Sequence, residues 1–207
     1  MAVNQPTPVS DSEKIELAKK FKAEGNECHK NKDYKRAMGK YHRALLQLKA
    51  IGNAKSAGLG AFLSEKSMED LGYSQHIPDS VRVEVTKLTG DCYNNLAACL
   101  LQQPDPNYTR IVEYCNNVVE MNPENVKAFY RRGLGLYHLE KYEEALESFD
   151  QAESVAANKM DKGLKAKLNE QVKLCKEGLR KQNQQLRDAY KGMFNKKPSA
   201  NETEEKG

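Results

Sequence analysis

Apolar residues recur at spacings of three and four from about residue 14 to residue 157, and again from Met160 to Phe194, with few β-branched alternations. That periodicity predicts helices almost throughout and an all-α fold. A longer period overlies the short one. Counting from Ala18, a bulky residue stands at position 4 (Phe21), small residues at 8, 20 and 27 (Gly25, Ala37, Ala44) and an aromatic at 24 (Tyr41). Counting from Val126, the same positions hold Phe129, Gly133, Ala145, Ala152 and Phe149. A weaker unit starts at Gly90, with Tyr93 and Ala97 at positions 4 and 8. Its turn, Gln102 to Asn107, is two residues too long, and after that correction Ile111, Cys115, Val118 and Pro123 fall at positions 20, 24, 27 and 32. Small residues at these places let paired helices approach closely, and the aromatic fills the space beside them. Three such units are the fewest that bury enough of one another to be stable.

Two stretches depart from the period. An insertion at about 50–78, rich in Gly, Ser and Ala, is too long for an ordinary connection between helices. From Met160 onward, Leu164, Leu168, Val172, Cys175, Leu179, Leu186, Tyr190 and Phe194 form one apolar stripe, which predicts a long amphipathic helix over 160–194 that caps the last unit and projects beyond it. The ends, 1–13 and 195–207, are polar and proline-interrupted and are expected to be disordered tails.

Charge sharpens this picture. The 207 residues carry 33 basic and 29 acidic side chains, a net +4, but the balance is zoned. Ser12 to Lys49 totals +6, Ala50 to Ala157 totals −7 and Asn158 to Phe194 totals +6. The acidic centre argues against a phosphate-backbone reader. The longest apolar run, Leu96 to Leu101, is far below the roughly 20 residues of a bilayer-spanning helix. With no secretory signal at the start, five irregularly spaced cysteines are expected to be reduced thiols, and a cytoplasmic location follows, with nuclear access open. Cys28 beside His29, and Cys92 with Cys99, do not make a metal-ligand spacing, and no phosphate-loop or nucleophile-elbow motif is present. No cofactor, metal or catalytic residue is therefore expected. His29, His42, His76 and His138 are read as ordinary surface or boundary histidines, and Gly133 and Gly135 as helix-packing residues.

The register of small and aromatic positions resembles the tetratricopeptide repeat, over about residues 14 to 157. The resemblance implies a right-handed superhelical solenoid of three helix-turn-helix repeats plus a capping helix. Repeat 1 would take about 18–49, repeat 2 about 79–125 and repeat 3 126–157. In such stacks the first helix of each pair lines a concave groove. Lys22 and Asn26, Asn95, and Lys127 and Arg131 then share the inward face. This set resembles the dicarboxylate clamp of co-chaperones that grip the C-terminal aspartate of the EEVD-type tails of Hsp90 and Hsp70. The chemistry suits the residue types. Lysine supplies a mobile charge, arginine a planar fork, and asparagine amides orient the ligand without adding charge.

The segment Asp91-Cys-Tyr-Asn-Asn-Leu-Ala-Ala-Cys-Leu-Leu-Gln102, with Tyr41-His-Arg-Ala-Leu-Leu-Gln-Leu48, the insertion and the ending Tyr190-Lys-Gly-Met-Phe194, resembles the tetratricopeptide repeat protein 9 family. Similar clamp modules occur in large FK506-binding immunophilins, but only about 17 residues precede the repeats here, so no prolyl isomerase activity is expected. The resemblance implies a non-catalytic adaptor that binds Hsp90 tails, with Hsp70 as a second partner. The rival is a scaffold that binds an unrelated internal peptide, cytoskeletal or signalling, without chaperones. The basic helix at 160–194 is also compatible with calmodulin or another partner.

Overall fold

The computed structural model describes residues 9–51, 78–157 and 160–194, with side chains described through residue 191. The insertion and the C-terminal tail expected from the sequence fall almost wholly outside the described residues, as does most of the N-terminal tail. Among the described residues there are seven α-helices and no strand: α1 (Asp11–Lys30), α2 (Tyr34–Lys49), α3 (Asp79–Leu100), α4 (Tyr108–Met121), α5 (Val126–His138), α6 (Tyr142–Ala156) and α7 (Lys162–Phe194).

Helix α1 starts inside the segment read as a tail, because Ser10 and Glu13 close a capping box. The Ser10 hydroxyl accepts from the Glu13 amide at 3.3 Å, and the Glu13 carboxylate accepts from the Ser10 amide at 2.8 Å. Helix α3 begins about three turns before the repeat's first position at Gly90. The added turns place Glu84 2.8 Å from Lys19 of α1.

Consecutive helices pack in chain order, while α1 meets α3, α3 meets α5 and α5 meets α7 across the stack. The turns within repeats 1 and 3 are built alike. Lys32 and Glu140 both adopt positive φ, at 59° and 60°. In each turn the next residue's amide closes on a carbonyl five residues back, Asp33 on Cys28 at 2.9 Å and Lys141 on Leu136 at 3.0 Å. Asp33, Asn107 and Asn125 then cap α2, α4 and α5 with their side chains.

Close helix approach rests on glycine beneath an aromatic ring. A Cβ on Gly25 would lie 2.7 Å from Tyr41, and one on Gly133 only 2.5 Å from Phe149. Both rings are buried, worth about 1.5–3 kcal/mol each for the area removed from water. Gly178 makes the same contact for α7, its Cβ position 2.5 Å from Tyr142 of α6. Repeat 2 has Ala97 and Cys115 at the corresponding positions, both fully buried. A larger residue at position 8 is matched there by a smaller one at position 24, which keeps the volume between the helices filled. Gly135 performs the same service between repeats, since a Cβ there would sit 2.8 Å from Val112 of α4.

Among the described residues, two clusters of buried residues result. One, from Ile15 to Cys115, joins α1 to α4, and the other, from Phe129 to Cys175, joins α5 to α7. Burial pushes the thiols of Cys92 and Cys115 up to about 12, which keeps them protonated and unreactive. Helix α7 is about 50 Å long by its 33 residues. Its first half buries Leu168 and Cys175, whereas Leu186 and Tyr190 are 55% and 54% exposed. No described helix is long and apolar enough to cross a membrane.

Candidate functional site

Lys22 and Asn26 lie one turn apart on α1, and Asp91 and Asn95 of α3 meet them. The Asn26 side-chain carbonyl accepts two hydrogen bonds, from the Tyr41 hydroxyl at 2.8 Å and from the Asn95 amide at 3.1 Å. Both donors fix the orientation of the Asn26 amide and leave its NH2 group free to donate. Tyr41 is buried to 1% exposure, and burial pushes its phenol upward, so it is a neutral donor at any physiological pH. A residue chosen for packing thus also anchors the site, linking α2, α1 and α3.

Lys22 does not stand free. Its ammonium lies 2.8 Å from the Asp91 carboxylate, with the two side chains 24% and 43% exposed. Across the groove the Arg131 guanidinium of α5 donates to the Asn94 carbonyl. Burial pushes the Arg131 guanidinium below its ordinary value, yet a guanidinium stays charged in proteins. The neighbouring Arg132 turns the other way. Its Nε donates to the buried Ser148 hydroxyl at 2.9 Å and its cation lies over the Phe129 ring, which gives it a packing role. Lys127, one turn before Arg131, is exposed and makes no ion pair or hydrogen bond among the described residues.

Lys127 and Arg131 line a cavity of about 730 Å³ that runs from the end of α3 to the start of α7. Its apolar floor comes from Ala98, Leu101, Tyr108, Tyr130, Leu134 and Leu164. His29 and His138, read from the sequence as surface or boundary histidines, also line it. The His138 ring stacks on Tyr108 with centroids 4.2 Å apart, and burial pushes its imidazole down, so it is neutral at pH 7. With Lys127, Arg131 and Lys167 against Asp161 alone, the lining carries a positive excess.

Of the five residues predicted from the sequence, Asn26 and Asn95 are therefore in direct contact, and Lys127 and Arg131 share one wall. Lys22, Asn26 and Asn95 lie outside the cavity lining. They connect to it through Asn94, which bonds Arg131, and through the single α3 turn from Asn94 to Ala98. Sequence reasoning missed Asn94, Asp91 and the hydroxyl of Tyr41. The available signal was a tyrosine at position 24 of repeat 1 where repeat 3 has a phenylalanine, and polar residues at Asp91 and Asn94, four and one positions before Asn95.

Paired helices stacked so that their first members form one groove define a tetratricopeptide solenoid. No family model matches the chain. It is 35% identical over 178 residues to tetratricopeptide repeat protein 9C of Xenopus tropicalis, covering 86% of this chain and 92% of that protein. The chain belongs to the tetratricopeptide repeat protein 9 family. It is also 30% identical over 135 residues to the Hsp70/Hsp90 co-chaperone CNS1 of Saccharomyces cerevisiae, covering 65% of this chain and 26% of that protein. Among solved structures, the C-terminal TPR-containing domain of a Plasmodium falciparum FK506-binding protein superposes with a TM-score of 0.65 at 23% identity, covering 85% of this chain and 97% of that one.

Proposed function

We propose that the chain is a non-catalytic cytosolic adaptor of co-chaperone type, whose groove holds the acidic C-terminal tail of Hsp90, with Hsp70 as a second partner. The observation that carries this reading is that Lys127 and Arg131 stand one turn apart in the cavity lining, with Arg131 bonded to Asn94, the residue next to Asn95, whose amide in turn meets Asn26. A C-terminal aspartate presents two carboxylates close together. Arg131 suits one as a planar fork, Lys127 the other as a mobile point charge, and the amides set the angle of approach. The apolar floor beyond Arg131 suits the aliphatic side chains that precede such a terminus. The kinship with a yeast Hsp70/Hsp90 co-chaperone supports the same partner class.

Hydrogen bonds to charged groups contribute about 1.5–3 kcal/mol each. Reduced by the ordering of a flexible peptide, a handful of them gives micromolar affinity. The test is a calorimetric titration of the full chain with the pentapeptide Met-Glu-Glu-Val-Asp and with its C-terminal amide. The acid is expected to bind and the amide to bind at least tenfold more weakly. Equal binding of the two, or no binding of either at several hundred micromolar, would instead favour a scaffold for an internal peptide.

A further inference from the structure

The Asp91 to Lys22 contact places a carboxylate where a ligand carboxylate would be held. Asp91 Oδ2 lies 2.8 Å from the Lys22 ammonium, a distance typical of a charge-assisted hydrogen bond. Asp91 comes from α3, one turn before the Asn94 and Asn95 amides, so this internal carboxylate sits on the same face as the groups that would orient a ligand. Both side chains retain solvent access. The pair can therefore exchange, and an incoming anion can reach Lys22.

A second observation indicates where Asp91 would go on release. Lys87 lies one turn earlier on α3, is exposed, and makes no ion pair among the described residues. Lys87 and Asp91 line a separate, smaller cavity of about 380 Å³ between α3 and the end of α4. A change of side-chain rotamer would carry the carboxylate from the Lys22 side of α3 to the Lys87 side, where an i, i+4 pair is sterically available.

We propose that Asp91 is a built-in competitor for the terminal carboxylate, held on Lys22 in the empty groove and passed to Lys87 when a peptide binds. The proposal rests on the carboxylate-clamp reading above. It makes Lys22 a cation available only to ligands able to displace an internal carboxylate. Weakly acidic or internal peptide segments meet a partner already in place, while a terminal aspartate with two carboxylates can displace it. Asp91 thus lowers affinity for every anion and raises discrimination in favour of the doubly charged terminus.

The experiment compares the full-length wild type with Asp91→Asn, Asp91→Ala and Lys87→Ala, titrating each with the Met-Glu-Glu-Val-Asp acid and its amide, and checking helical content by circular dichroism. Both Asp91 variants are expected to bind the acid about fivefold more tightly. They should also narrow the ratio between acid and amide. Lys87→Ala is expected to bind the acid about twofold more weakly, because displaced Asp91 loses its second partner. If the wild type binds the acid selectively and both folded Asp91 variants bind it equally or more weakly, Asp91 orients Lys22 rather than competing for it, and the proposal fails while the clamp stands. If no protein in the set distinguishes acid from amide, the clamp reading itself fails and the competitor role falls with it.

Discussion

The two walls of the groove are polar in different ways. On the α1 and α3 side nearly every functional group is already engaged: Lys22 with Asp91, and the Asn26 carbonyl with both Tyr41 and Asn95. On the α5 side Lys127 has no partner among the described residues, and Arg131 uses one nitrogen on Asn94. A ligand that meets the first wall must exchange one charged bond for another, so its net gain there is small. On the second wall it gains contacts that cost only water, close to an apolar floor. The difference teaches that equal placement in the repeat register does not imply equal contribution. The α5 wall should supply most of the affinity, and the α1 wall most of the geometry.

Arg131→Ala gives the largest expected effect on binding. Loss of a partly buried bidentate donor removes about 1.5–3 kcal/mol, a weakening of about ten- to a hundredfold for the acid-ending peptide. Calorimetry reads this directly, and unchanged helical content separates it from unfolding. Lys127→Ala should weaken binding about tenfold and leave the melting temperature unmoved, because that side chain has no bond in the empty groove to lose. Affinity in both cases should be measured at two salt concentrations. Wild-type binding falls with salt, and each variant should show a shallower fall.

Lys22→Ala tests the other wall. If exchange with Asp91 sets its contribution, the loss is about fivefold, below that of either α5 residue. Part of that loss comes from the Asp91 carboxylate left bare beside the ligand. The double variant Lys22→Ala/Asp91→Ala should therefore recover binding to within about twofold of wild type. A loss for Lys22→Ala as large as that for Arg131→Ala would erase the distinction between the walls.

The solenoid was legible because its signals are local and repeated. Gly25 with Tyr41, and Gly133 with Phe149, keep the same spacing in repeats 1 and 3, and each pair meets in space as that spacing requires. The nearness of Asn26 to Asn95 and the shared wall of Lys127 and Arg131 follow from a related cause: each position is fixed by a register counted along one helix. What could not be read depends on contacts between chain-distant side chains. The pairing of Lys22 with Asp91 spans 69 residues, as does that of Asn26 with Asn95. The opposite directions of Arg131 and Arg132, adjacent in sequence, follow from the 100° helical turn between them, and their different roles emerge only when Asn94 and Ser148 are in place. The first residues of helix α1 fall within the stretch expected to be a tail, because Pro6 and Pro8 interrupt the chain just before the capping-box spacing of Ser10 and Glu13.

The smallest expected effect belongs to Tyr41→Phe, and it probes the geometry of the α1 wall alone. Phe149 occupies the equivalent place in repeat 3 over the same kind of glycine contact, so a phenyl ring at residue 41 preserves the packing that Gly25 requires. What is lost is the 2.8 Å hydrogen bond to the Asn26 carbonyl. Stability should fall by about 1 kcal/mol, read as a melting temperature lower by about 2–4 °C for a chain of this size. With only Asn95 left to hold it, the Asn26 amide can flip and present its carbonyl to the ligand carboxylate, where it repels instead of donating. Affinity for the acid-ending peptide should then drop about two- to threefold while affinity for the amide stays unchanged. An equal loss for both peptides would assign the Tyr41 hydroxyl to the fold alone and take the orienting role away from the α1 wall.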